Sequence, residues 1–169
     1  MFIEYPGCNI SAVRLARCDD RELIWVTGTS HDGANNKLQV WKSGKSTQIV
    51  SGTGDLKQQS EEEFTGDVTR ICPFKGSMVA AASTYGSVTV FNLNSTKLEQ
   101  VCHTNVFPSS CNDVVCSDFN HCLIAGGDDG QVSLLDLSRL SGKTKNFTVS
   151  QTPISTLDLV SSNEIICGK

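Results

Sequence analysis

Cysteine and histidine side chains cluster between residues 102 and 122, where they could bind a metal ion. The cluster contains Cys102, His103, Cys111, Cys116 and the pair His121–Cys122. Zinc in proteins is usually held by four such ligands. Common zinc sites contain a Cys-x-x-Cys pair, whereas Cys111, Cys116 and Cys122 are separated by 5 and 6 residues. The spacing therefore predicts no metal site, and thiols in strands are expected to fill core space.

The sequence also lacks catalytic and phosphate-binding patterns. His31, His103 and His121 are expected in unrelated loops, and no Gly-x-Ser-x-Gly elbow occurs. The glycine-rich segment 126–130 lacks the Lys-Ser/Thr pair of a phosphate-binding loop, and its two aspartates would repel phosphate. We therefore predict a protein that is not an enzyme and needs no cofactor.

Charge and cysteine content narrow the class of protein further. The 169 residues include 14 Lys and Arg against 18 Asp and Glu, a net charge of -4 that disfavours direct nucleic-acid binding. No apolar run approaches the roughly 20 residues of a membrane-spanning helix, so no membrane insertion is expected. Residues 1–7 lack the basic head of a signal peptide. We expect a nuclear or cytosolic chain whose eight cysteines are free thiols.

Short apolar runs separated by Gly, Asn, Asp and Ser predict an all-β fold. Residues 78–93 and 122–137 match position by position with an offset of 44 residues. An earlier copy spans residues 23–41, and a later one begins at residue 154. This period and pattern are typical of WD40 repeats, which form the four-stranded blades of a β-propeller. Another repeated β architecture is the alternative.

The repeat predicts particular structural positions. Large apolar side chains should occupy one slot between sheets, at Trp41, Phe91 and Leu135. Gly86 and the pair Asp129–Gly130 should form tight turns, since glycine adopts positive φ without strain.

The predicted propeller is partial and contains about three and a half blades. The blades are expected at residues 9–50, 66–101 and 111–149, with an incomplete blade at 152–169 and an acidic surface loop at 51–65. A closed seven-bladed ring would need about twice this length. We therefore expect a fragment of a longer propeller, and a self-pairing half-propeller is the alternative.

Three segments resemble the nucleoporin 43 family, the small WD40 subunit of the Y-shaped scaffold of the nuclear pore. Its second blade is similar to residues 66–70 and 78–91, and its first and third blades are similar to residues 27–41 and 111–130. The resemblance implies a scaffold protein at the nuclear pore and nuclear envelope that binds other nucleoporins. It also implies roles in protein transport, in mRNA export and at kinetochores. The alternative is a WD40 adaptor of another class, such as a ubiquitin-ligase substrate receptor or a chromatin adaptor. The sequence does not identify the partner-binding residues.

Overall fold

The structure is a computed structural model that describes residues 9–18, 22–31, 36–44, 56–117, 121–138, 144–162 and 164–169. In these ranges it contains fourteen β-strands and no helix, and so no helix that could cross a membrane. The strands are β1 (Asn9–Cys18), β2 (Glu22–Ser30), β3 (Asn36–Gly44), β4 (Lys57–Phe64), β5 (Val68–Phe74), β6 (Met78–Ser83), β7 (Ser87–Asn94), β8 (Lys97–Asn105), β9 (Cys111–Ser117), β10 (Cys122–Gly127), β11 (Gln131–Asp136), β12 (Thr144–Thr148), β13 (Thr156–Leu159) and β14 (Ile165–Gly168).

The strands form four antiparallel sheets. Sheet 1 contains β1–β4, sheet 2 contains β5–β8, sheet 3 contains β9–β12, and sheet 4 contains β13 and β14. Each strand is hydrogen-bonded to the strand that precedes or follows it in the chain, so every sheet is a simple meander. Such local pairing follows from short turns between consecutive strands. The all-β prediction is confirmed.

The predicted repeat is visible in the strand register. In sheet 2, Met78 lies opposite Asn92, and in sheet 3, Cys122 lies opposite Asp136. Both pairs are related by the 44-residue offset found in the sequence. The two segments therefore form the same antiparallel two-strand unit, as the repeat predicts.

The turns of these two units depend on glycine. Gly86 and Gly130 each have a φ of 76°, in the left-handed region that favours glycine. A Cβ atom at Gly130 would also collide with the backbone oxygen of Ser150 in the following connection. Backbone conformation and close approach thus both require glycine at this position.

The apolar core lies between consecutive sheets. Sheets 1 and 2 share a cluster that includes Ile24, Leu38, Ile71 and Phe91. Sheets 2 and 3 share a second cluster that includes Val90, Phe107, Val114 and Leu135. The cluster between sheets 3 and 4 is smaller and contains four buried residues among those described: Ile124, Val132, Ile154 and Leu157. Stacked sheets with interleaved side chains are the physical basis of this fold.

The acidic surface loop predicted at 51–65 is wrong for residues 57–64, which form strand β4. This strand pairs antiparallel with β3 and completes sheet 1. Because β4 is an outer strand, most of its side chains are exposed on both faces, and Phe64 alone in the strand is buried. That exposure explains its polar sequence. Residues 45–55 lie outside the described residues, and sheet 2 extends beyond the predicted residue 101 to Asn105.

Candidate functional site

Polar side chains on the first strand of each sheet link that sheet to the next one. The hydroxyl of Ser11 on β1 donates to the backbone oxygen of Val68 on β5 at 2.5 Å. The hydroxyl of Thr69 on β5 donates to the backbone oxygen of Cys111 on β9, also at 2.5 Å. These bonds hold the first strands at a fixed spacing.

The third link is a buried carboxylate on β9. Asp113 is 2% exposed, and its Oδ1 accepts from the backbone N–H of Val114 at 2.8 Å and from Nε of Arg70 at 3.0 Å. Its Oδ2 accepts from the backbone N–H of Leu157 at 2.7 Å and from the hydroxyl of Thr156 at 3.0 Å. A charge can be buried when it has such partners. One side chain therefore connects sheets 2, 3 and 4.

The three predicted large apolar positions are all buried. Trp41, Phe91 and Leu135 lie on the third strand of sheets 1, 2 and 3, with 8%, 3% and 9% exposure. Phe91 packs between sheets 1 and 2, and Leu135 packs between sheets 2 and 3. In sheet 1, the indole N–H of Trp41 donates to the hydroxyl of Thr27 at 3.0 Å. The structure thus places these residues in one equivalent slot of each sheet.

Asp129 stabilises the turn that ends at Gly130. Its Oδ1 accepts from the backbone N–H of Gln131 at 3.1 Å, and its Oδ2 accepts from the side-chain amide of the same residue at 3.0 Å. The carboxylate therefore serves the local turn. In sheet 2, the equivalent position is the exposed Tyr85, which precedes Gly86.

The structure distributes the cysteines and histidines of segment 102–122 over three strands and a turn. Among the described residues, no three His, Cys, Asp or Glu side chains are grouped so that they could hold a metal ion. His103 lies on β8, not in a loop as expected, and its Nδ1 is 2.9 Å from the hydroxyl of Thr89. Burial, aided by the charge of Asp113, raises the pKa of the Cys111 thiol to about 12. Such a thiol is a core residue and a poor nucleophile.

Most described cysteines are buried or half-buried, and all of them are free thiols. They are Cys18, Cys72, Cys102, Cys111, Cys116, Cys122 and Cys167. Cys8 lies outside the described residues. Burial also raises the pKa of Cys72, Cys102, Cys122 and Cys167. A raised pKa lowers the thiolate fraction on which reactivity depends.

Charged side chains dominate the outer strand of sheet 1. Lys37 on β3 donates to Oε1 of Glu61 on β4 at 2.5 Å, and this hydrogen bond lowers the pKa of Glu61. Glu62 and Glu63 follow and are exposed. An exposed ion pair of this kind contributes little to stability, so the acidic stretch chiefly sets the charge of this edge.

Apolar side chains are exposed at the two ends of the stack. On β1, Val13 and Leu15 are 44% and 40% exposed, and they alternate with Ala12, which packs toward sheet 2. On β14, Ile165 and Ile166 are 36% and 60% exposed. In the interior of the stack, the corresponding sheet faces are covered by a neighbouring sheet.

Comparison with known proteins supports this description of the architecture. No protein-family model matches the sequence, and no curated protein matches it. Among solved structures, 581 chains match, including one in a crystal structure of a mitotic checkpoint complex. That chain is similar with a TM-score of 0.67 and 14% sequence identity, over 98% of this chain and 47% of its own length. The fold is a partial WD40-like β-propeller.

Sheets 1, 2 and 3 are thus complete four-stranded blades, and sheet 4 is a blade with two described strands. The chain spans slightly less than half the length of the propeller chain that it matches. At 14% identity, this likeness shows the fold alone. It supports the WD40-like assignment and not the nucleoporin 43 family in particular.

The links between blades were missed by sequence reasoning. Asp113 is acidic within the otherwise apolar and small segment 111–116, and an acid in such a run signals a buried, paired carboxylate. Ser11 and Thr69 carry no comparable signal, because both residue types are common in exposed strands.

Proposed function

We propose that this propeller is a non-catalytic scaffold that holds partner proteins. Its first strands are fixed to each other by the hydrogen bonds of Ser11, Thr69 and Asp113. A rigid stack presents its loops and edges to partners at low entropic cost. The exposed apolar side chains at both ends of the stack are the observation that carries this proposal, because clustered exposed apolar surface marks interaction sites.

The partners that we propose are nucleoporins of the Y-shaped scaffold of the nuclear pore. The motif that carries the resemblance to the nucleoporin 43 family forms the two inner strands of blade 2, β6 and β7. Its residues Val79 and Phe91 are buried opposite each other. In this proposal, the protein resides at the nuclear envelope, contributes to protein transport and mRNA export, and associates with kinetochores during division.

Proximity labelling in cells tests this proposal. The chain is fused to a biotin ligase, and labelled proteins are identified by mass spectrometry. We expect a rim of label at the nuclear envelope and enrichment of the Y-shaped scaffold subunits. Gly130→Val, which disrupts a turn of blade 3, should lose this enrichment, whereas the exposed Glu62→Ala should retain it. Enrichment of ubiquitin-ligase or chromatin proteins instead would favour a WD40 adaptor of another class.

A further inference from the structure

Strand β14 has one free edge among the described residues. It pairs with β13 on one side, and no described strand pairs with it on the other. In sheets 2 and 3, the equivalent strands β6 and β10 are paired on both sides. Blade 4 therefore presents a row of backbone groups at the position that a third strand occupies in the other blades.

The repeat identifies which residues of β14 are affected. Ile71, Val114 and Leu157 recur every 43 residues and lie opposite Ala81, Ala125 and Cys167. By this register, Ile165 and Ile166 occupy the places of Leu123 and Ile124 in blade 3. Leu123 and Ile124 are 0% and 3% exposed, against 36% and 60% for the two isoleucines. The side chains of β14 are thus apolar enough for a strand interior but lack a neighbour.

The hydrogen-bonding groups of this edge alternate in direction. The backbone N–H of Val160 donates to the backbone oxygen of Glu164, and the register continues through the opposed pair Asp158 and Ile166. Alternate residues of an antiparallel strand direct their backbone groups to the same side. Ile166 and Gly168 therefore point toward β13, and Ile165 and Cys167 point toward the free edge.

The neighbouring face of blade 3 is only partly covered. Val132 packs against blade 4, and Phe147 lies opposite it on the adjacent strand with 49% exposure. Leu134 is half-buried, whereas the equivalent Val90 of blade 2 is 1% exposed. The uncovered surface is continuous with the interface that Leu157 already forms with blade 3.

We propose that the free edge of β14 and this uncovered face of blade 3 form a docking site for a β-hairpin of a partner protein. The first strand of the hairpin pairs antiparallel with β14 through Ile165 and Cys167. A bulky apolar residue lies opposite Ile165, as Phe91 and Leu135 lie opposite Val79 and Leu123. The second strand covers Phe147. Strand addition of this kind combines backbone hydrogen bonds with side-chain pockets.

A second copy of this chain does not fit the site. Two β14 strands paired antiparallel are related by a two-fold axis perpendicular to the shared sheet, so both copies keep the same face. Each copy then places its own blade 3 on that face, because β13 packs over β9 and β10. The two four-stranded blades would occupy the same space. An isolated hairpin carries no such blade.

The test uses a synthetic peptide of residues 85–105, which forms the hairpin β7–β8 in blade 2. Val88 and Val90 are replaced by threonine so that its outward face is polar. The matched control peptide also carries Phe91→Asp. Amide hydrogen exchange of the full chain is measured by NMR with and without each peptide, and sedimentation velocity reports the oligomeric state.

We expect the Ile165 and Cys167 amides to exchange rapidly in the free chain and at least about tenfold more slowly with the peptide, equivalent to about 1.4 kcal/mol. The control peptide should have no effect. Cys167→Pro should abolish the slowing, while the Ile166 and Gly168 amides stay protected by β13, which shows that the variant remains folded. Ile165→Asp should also abolish it.

Three results would overturn the proposal. One is equal slowing by both peptides, and another is unchanged slowing in Cys167→Pro. The third is protection of Ile165 and Cys167 in a self-associated free chain, which would make a second copy the occupant. The inference rests on the proposed role as an interaction scaffold. Because the measurement is made on purified components, it is independent of whether proximity labelling finds the nuclear pore.

Discussion

Replacing Asp113 by alanine is expected to destabilise the chain by about 4 kcal/mol. The substitution leaves the backbone N–H groups of Val114 and Leu157 buried without an acceptor. Each such loss costs about 1–3 kcal/mol. Arg70 adds little to the cost, because its side chain is 36% exposed and water can hydrate its charge.

Urea unfolding of the variant measures this loss. Tryptophan fluorescence reports on blade 1, since Trp25 and Trp41 lie opposite each other there. Hydrogen exchange reports on blade 4, where the Leu157 amide should lose far more protection than the equivalent amide of Ile71. Asp128→Ala is the matched control. Asp128 is exposed and accepts one long hydrogen bond from Asn112, at 3.4 Å, so its loss should cost less than about 0.5 kcal/mol.

Asp113→Asn separates the shape of the side chain from its charge. The amide keeps one acceptor oxygen but directs an NH2 group at the remaining donors, so we expect about half the loss of the alanine variant. Equal destabilisation by Asp113→Ala and Asp128→Ala would refute the assigned link. An unchanged Leu157 amide in Asp113→Ala would refute it as well.

Three further changes probe other parts of the fold. Gly130→Val should cost about 1–3 kcal/mol from backbone strain alone, whereas Glu62→Ala should stay within about 0.5 kcal/mol; equal melting shifts would contradict the turn assignment. Cys111 has its pKa raised from 9.0 to about 12 in the folded chain, so between these values the unfolded state releases a proton that the folded state keeps. Stability should therefore be fully present below pH 9 and fall above it, with a loss from about pH 8 to about pH 10 that is about 1.4 kcal/mol larger than in Cys111→Ala. Trp41→Phe should cost about 1 kcal/mol by removing the hydrogen bond to Thr27, measured by urea unfolding; no loss would show that water replaces it.

The inner strands could be predicted from the sequence because burial constrains them strongly. The 44-residue offset gave the pairing of β6 with β7 and of β10 with β11, and the slots of Phe91 and Leu135. At these positions, neighbours on both faces require apolar residues, and turns require Gly86 and Gly130. Such requirements leave a readable periodic pattern.

The outer strands and the polar links could not be predicted in the same way. Strand β4 contains three consecutive glutamates and faces solvent, so its pattern resembles that of a loop. Its pairing with β3 depends on backbone groups, which every residue carries. Likewise, the contact of Asp113 with Leu157 joins residues 44 positions apart, and the local sequence does not specify which donor the carboxylate meets.

The outer edge of blade 1 has a consequence for how these molecules behave when concentrated. An unpaired strand edge is a template for fibre growth unless charge or bulk prevents it. On β4, Glu61, Glu62 and Glu63 would face the same charges of another molecule, and repulsion opposes stacking there. Strand β14, with Ile165 and Ile166, carries no charge of its own. Growth is therefore blocked at one end of the molecule and open at the other, so acid or high salt, which weakens the glutamate repulsion, should convert a soluble chain into one that forms fibres.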